Sequence, residues 1–195
     1  VTTPEFEVRE TPATFRLTFD QFEQMFDDGM FQDVWNRVEL LEGRIVEMAP
    51  GSDDHGKTSA ELIYLIAAGL RAAGLNGEFG VRTDGTLRIG EYSAPEPDVF
   101  VVRNFSDRKY AEASDAVLVV EVSVSTRADD LKIKMPMYAR AGVPEAWMVE
   151  PEARLVRVFR GPRPDGSWGD EAVVTEGVVT PLFSDQVRVD LAELF

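Results

Sequence analysis

The chain has no cysteine and a single histidine, His55. The first absence excludes disulfides and thiolate metal sites, and the second excludes a zinc site built from several histidines of one chain. A cysteine-free sequence also fits a reducing compartment, so a cytoplasmic protein is expected. No apolar run approaches the roughly 20 residues of a membrane-spanning helix, and no membrane partner is expected. The opening residues, Val1 to Glu7, have neither the basic nor the apolar part of a signal peptide. Positive charge is scarce too: 20 Lys and Arg stand against 35 Asp and Glu, a net charge of −15. Such a chain repels nucleic acid at long range, because phosphate neutralisation normally dominates affinity for DNA. Arg154, Arg157, Arg160 and Arg163 recur at every third position, and Arg82 and Arg88 flank a turn. Arginines spaced this way read first as the solvated face of a strand.

What is present is an ordinary globular composition, 44% hydrophobic and 28% charged over 195 residues. That is enough chain for one full-sized core. Residues 1–17 read as an N-terminal arm and 18–195 as one domain. Thr18 and Gln21 form a capping-box pattern ahead of Phe19, Phe22, Met25 and Phe26 at helical spacing, with Gly29 as terminator. Residues 38–41 and 44–48, joined through Glu42-Gly43, form a β-hairpin pattern. A helix is predicted from about Lys57 to Ala73, with Leu62, Ile63, Ile66 and Leu70 on its buried face. Two strands are expected around Thr83-Asp84-Gly85. The apolar runs 97–102 and 117–122 hardly alternate, which marks strands buried on both faces. A helix over 129–141, strands at 146–149 and 155–159, a turn-rich loop at 162–169 and short strands at 172–175 and 187–189 complete the pattern. Strands interleaved with helices predict an α/β or α+β domain with a mixed central sheet.

Three residues carry chemistry on this frame. Asp98 follows Pro97 at the start of one apolar run, and Glu121 closes another, Ala116 to Val120. Lys134 follows on a predicted helix, sharing a face with Asp130 and Tyr138. Two strand-borne carboxylates and an ammonium are what a metal-dependent phosphodiesterase needs, since hard oxygen ligands suit Mg²⁺ and an ammonium can offset charge on a phosphate. Each residue also has a structural reading. Asp98 is common turn chemistry after proline, Glu121 can simply emerge at a strand's open end, and a helical lysine is usually solvated. His55 reads as a helix cap, Glu39 as an exposed hairpin residue and Trp147 as core.

Taken in order, the pieces resemble the Uma family of restriction-endonuclease-like proteins, within the PD-(D/E)XK nuclease superfamily. The carrying segments are Arg37 to Met48, Pro50 to His55, Pro97-Asp98, Val120 to Thr126, Asp130-x-x-x-Lys134-x-x-x-Tyr138 and Ala141 to Trp147. The resemblance runs from about residue 18 to 160. It implies a restriction-endonuclease-like core, a mixed sheet flanked by helices, with Asp98 and Glu121 on adjoining strands. It also implies a divalent ion, Mg²⁺ or Mn²⁺, held by Asp98, Glu121 and the carbonyl of Val122. Lys134, His55 and Glu39 join them as catalytic candidates, nucleic acid (DNA first) is the substrate, and homodimerisation is possible. The sequence departs from the superfamily pattern twice. Ser123 stands where a lysine is expected two residues after the glutamate, so that lysine has moved to Lys134. Pro136 follows inside the predicted helix, where it removes a backbone donor. Either the helix starts late, near Lys134, or it kinks there, and Lys132 is the substitute candidate. Two other functions stand beside the nuclease. One is a catalytically inactive interaction or regulatory module on the same fold, which the acidic charge favours. The other is a glycoside hydrolase using two carboxylates, for which the scattered Trp35, Trp147 and Trp168 give no sugar-stacking signature.

Overall fold

The computed structural model describes residues 15–32, 38–48, 51–103, 109–124 and 130–195. The arm at 1–14, Arg37, Pro50, Ser125, Thr126 and the side chain of Asp130 lie outside the described residues, so the face shared by Asp130, Lys134 and Tyr138 is followed only for the last two.

The chain opens with α1 (Phe19–Asp27), capped by Thr18 and Gln21 in the reciprocal arrangement their spacing implies. The hairpin β1 (Val38–Leu41) and β2 (Arg44–Glu47) follows. Its two turn residues have φ of +52° at Glu42 and +80° at Gly43. A two-residue turn with both φ positive twists as the flanking strands do, which explains the glycine and makes Glu42 the strained member. Next comes α2 (Asp53–Ala72), which begins four residues earlier than the apolar spacing suggests because Ser52 accepts the His55 N–H and caps it. Then follow β3 (Phe79–Arg82), β4 (Leu87–Arg88), β5 (Val99–Arg103), β6 (Ala111–Glu112) and β7 (Ala116–Val122). A wide π-type turn (Asp130–Lys134) leads into α3 (Met135–Arg140). The strands β8 (Glu145–Glu150), β9 (Leu155–Pro162), β10 (Trp168–Val174), β11 (Val178–Val179) and β12 (Val189–Asp190) precede a last turn of helix, α4 (Leu191–Leu194).

Six strands form the central sheet in the order β10-β9-β8-β7-β5-β3. All neighbours are antiparallel except β7 and β8. The sheet is therefore mixed, as the interleaved pattern predicts. The two strands around Thr83 do not pair with each other. β3 joins the sheet edge, while β4 pairs in parallel with β6 in a separate ribbon.

Alternation along the central strands fills two cores. Val99, Val101, Leu118, Val120, Trp147 and Val149 face α2 through Leu62, Ile66 and Leu70. Phe100, Val102, Val119, Ala146 and Met148 face α3 through Met135, Met137 and Tyr138. Burial on both faces is why β5 and β7 read as unbroken apolar runs. Pro136 falls in the first turn of α3, where its missing N–H has no partner to lose. The helix thus starts at Met135, after the wide turn, and Gly142 at φ +76° ends it.

Candidate active site

Antiparallel register places Val99 opposite Val120, so one step further sets Asp98 opposite Glu121. The two carboxylates are cross-strand neighbours near the C-terminal end of β7. Each is fixed by donors. Asp98 Oδ2 accepts the Val122 N–H at 2.7 Å, and Oδ1 lies 3.0 Å from His55 Nε2. His55 reaches there from the first turn of α2, so it is more than a surface or capping residue. Glu121 Oε1 accepts from the Tyr138 hydroxyl at 2.5 Å, and Oε2 lies 3.2 Å from Lys134 Nζ. Glu121 keeps step with Val119 on the α3 face, where a lone carboxylate could not survive without such partners.

Lys134 is the lysine that enters the site; Lys132 is exposed. The ammonium is buried, and it bridges Glu121 to Glu39, 3.1 Å from Glu39 Oε1. Glu39 corrects the expectation of an exposed hairpin residue, being 0% exposed. The Glu96 N–H donates to the same Oε1 at 2.8 Å, while Oε2 is buried with no hydrogen-bond partner. Burial holds the Glu39 carboxyl above the ordinary glutamate range, against the opposing pull of Lys134. One further orphan, the Ser123 hydroxyl, is buried just beyond Glu121. Ser123 continues the ladder by donating its N–H to the Val149 carbonyl.

All five residues singled out in the sequence (Glu39, His55, Asp98, Glu121, Lys134) thus fall into two bonded groups joined through β7. The sequence sets Tyr138 on the Lys134 face without marking a role for it; its spacing of four residues from Lys134 is the available signal. The hold of the Glu96 and Val122 amides on the carboxylates left no sequence signal, because any residue supplies an N–H.

Chemically the centre is a set of hard oxygen donors with one ammonium. A carboxylate oxygen has two lone pairs, so Asp98 and Glu121 can each take a further ligand without losing the donors that orient them. Among the described residues no group of three or more His, Cys, Asp or Glu is arranged to hold a metal. Two carboxylates with a main-chain carbonyl nevertheless suit Mg²⁺, which keeps several waters and uses one or two carboxylates.

Of the four regularly spaced arginines, Arg154 and Arg163 are exposed as expected, while Arg157 and Arg160 are part-buried. Arg157 Nε donates to Glu150 and Arg160 Nε to the fully buried Glu145, at 2.7 and 2.9 Å. A groove of about 370 Å³ between α2 and the β8–β9 turn sets Asp54, Glu61, Glu152 and Glu193 against Lys57 and Arg154. Its excess of carboxylates does not suit a phosphate backbone. No described helix is long and apolar enough to cross a membrane.

No curated protein matches the chain. Among solved structures, one from Anabaena variabilis ATCC 29413, described as "a putative nuclease belonging to DUF820", shares 16% sequence identity at a TM-score of 0.71. The likeness covers 92% of this chain and 97% of that one, and it shows a common fold. The family model for Uma2, described as "Putative restriction endonuclease", matches residues 19–191. The chain therefore belongs to the Uma2 family, as the order and spacing of its motifs implied.

Proposed function

We propose that the protein is a divalent-metal-dependent endonuclease that hydrolyses phosphodiester bonds in nucleic acid, DNA first of all. The observation that carries the reading is the meeting of Asp98, Glu121 and Lys134 beside the parallel strand pair, in a chain of this family. Asp98, Glu121 and the carbonyl of Val122 would hold Mg²⁺ or Mn²⁺. When bound, such an ion lowers the pKa of a water and polarises the scissile phosphate. The protein's own groups supply the rest. His55 and the Val122 amide keep the Asp98 carboxylate in one orientation, and Tyr138 does the same for Glu121. Lys134 brings positive charge to where the phosphate gains negative charge, or orients the attacking water.

The test is cleavage of plasmid and single-stranded DNA with Mg²⁺ or Mn²⁺. Cleavage should fall by about a thousandfold in Asp98→Ala and in Glu121→Ala. Unchanged cleavage in either variant overturns the reading. The net charge of −15 favours a second reading, a catalytically inactive interaction or regulatory module on the nuclease fold. It predicts no metal capture. A calorimetric titration in which the wild type binds Mn²⁺ and Glu121→Ala does not would exclude its metal-free form. The nuclease reading takes residues 18–195 as one unit, cytoplasmic and working as a two-fold homodimer on duplex DNA. Sedimentation with and without DNA checks that stoichiometry.

A further inference from the structure

We propose that Glu39 is a positioning residue, holding the Lys134 ammonium beside Glu121 and tying it to the segment that leads into Asp98. This rests on the nuclease reading of the site and adds the means by which a displaced lysine is kept in register.

Lys134 reaches the centre from a wide turn between β7 and α3, on a flexible four-carbon stem. A lysine so placed needs a second anchor besides Glu121. Glu39 supplies it through Oε1, which also accepts the Glu96 N–H. Glu96 lies two residues before Asp98, so one carboxylate oxygen links the lysine to the approach to Asp98. Glu39 is itself rigidly placed. Its hairpin stands outside the central sheet but is registered to residues 92–94. The Ala94 N–H donates to the Leu40 carbonyl at 2.7 Å, the Gly43 N–H to Tyr92 at 2.6 Å and the Glu42 N–H to the Ser93 hydroxyl at 3.0 Å. Full burial keeps Glu39 from touching a substrate, and the described residues hold no three-carboxylate cluster that would make it a ligand. Its unpartnered Oε2 gives the lysine somewhere to turn. Were Glu121 to hold an ion, the three-donor ammonium would stay charge-paired with Glu39 while still donating to Glu121.

The test reads Lys134 directly, by nitrogen-15 NMR of its ammonium at neutral pH in the full chain. In the wild type the ammonium hydrogens should exchange slowly and show Overhauser contacts to the Glu39 γ-methylene. Glu39→Gln should speed their exchange by at least about tenfold, because a neutral amide holds an ammonium less well than a carboxylate does. Mn²⁺ affinity should meanwhile fall by less than the roughly tenfold that losing a group bonded directly to a ligand costs, since Glu39 touches Lys134 and no ligand. A control, Glu145→Gln, removes a buried charge elsewhere and should leave the Lys134 signal alone. Missing Overhauser contacts in the wild type overturn the proposal whether or not the variant folds. So does unchanged exchange in Glu39→Gln, or a tenfold loss of Mn²⁺ affinity. Absent DNA cleavage would count against the nuclease reading without touching this result.

Discussion

Two of the buried glutamate clusters on the parallel strands, one at the start of β8 and one near the end of β7, are satisfied very differently. Glu145 spends both oxygens on fixed partners. Oε1 accepts from Trp147 Nε1 at 2.9 Å and from Arg160, and Oε2 accepts the Leu182 N–H at 2.6 Å. Arg160 passes the restraint on to the Thr180 carbonyl at 2.7 Å. Nothing in that cluster is left to bind anything else; it straps the 180–182 segment to the sheet. The Glu39–Lys134–Glu121 cluster puts two carboxylates on one ammonium and leaves Glu39 Oε2 without a partner. An unmet buried acceptor costs about 1–3 kcal/mol. A fold that carries that cost at one end of its strands, and avoids it at the other, separates a working centre from a clasp.

The contrast can be broken most severely at the clasp. Glu145→Ala should lower stability by about 3 kcal/mol, the low end for a broken buried pair, because the Arg160 side chain is 32% exposed and partly screened. The urea midpoint should move while Mn²⁺ affinity stays. Next in size is Tyr138→Phe, which removes a hydroxyl donor from the buried Glu121 carboxylate and should cost about 1.5–3 kcal/mol. Unlike the clasp variant, it should also weaken Mn²⁺ binding, because Glu121 loses the group that orients it.

Acidity gives a subtler probe. The Glu39 carboxyl titrates higher in the folded chain than its ordinary value of 4.5. Stability from keeping it protonated is therefore complete below that value and is lost as pH rises through the raised folded one. Glu39→Gln does not titrate there. The wild type should lose ground to it across that window by about 1.4 kcal/mol per pH unit at most, read from urea curves at successive pH values. A flat difference would mean that Glu39 stays ionised throughout. The smallest effect belongs to Ser123→Ala. Its buried hydroxyl has no partner, so removal should relieve an unmet polar group and raise stability by about 1 kcal/mol, opposite in sign to the others.

Much of this was legible from local pattern. Non-alternating runs marked β5 and β7, the Thr18–Gln21 pair marked the start of α1, and Glu42-Gly43 marked the hairpin turn. What stayed hidden depended on distant partners. Glu39 sits in Val38-Glu39-Leu40-Leu41, where alternation allows a solvated side chain. Its burial comes from Glu96 and Lys134, 57 and 95 residues away. Arg157 and Arg160 looked solvated because their acceptors, Glu150 and Glu145, belong to another strand. His55 looked like a cap because nothing near it in sequence announces Asp98. Pro136 left two geometries open, and the wide turn before it decided between them.

The lone parallel junction of the central sheet, β7 beside β8, has a consequence for how this chain can be shortened. Antiparallel neighbours such as β9 and β10 can meet through a short local loop. Parallel neighbours cannot; the chain must leave one end of the sheet and travel back to the other. Here the return path carries the wide turn, Lys134 and α3 across the mouth of the site. The cargo is delivered by an obligatory detour, so a lysine need not be written into the strand itself. Deletions along the detour should misplace the ammonium before they unfold anything.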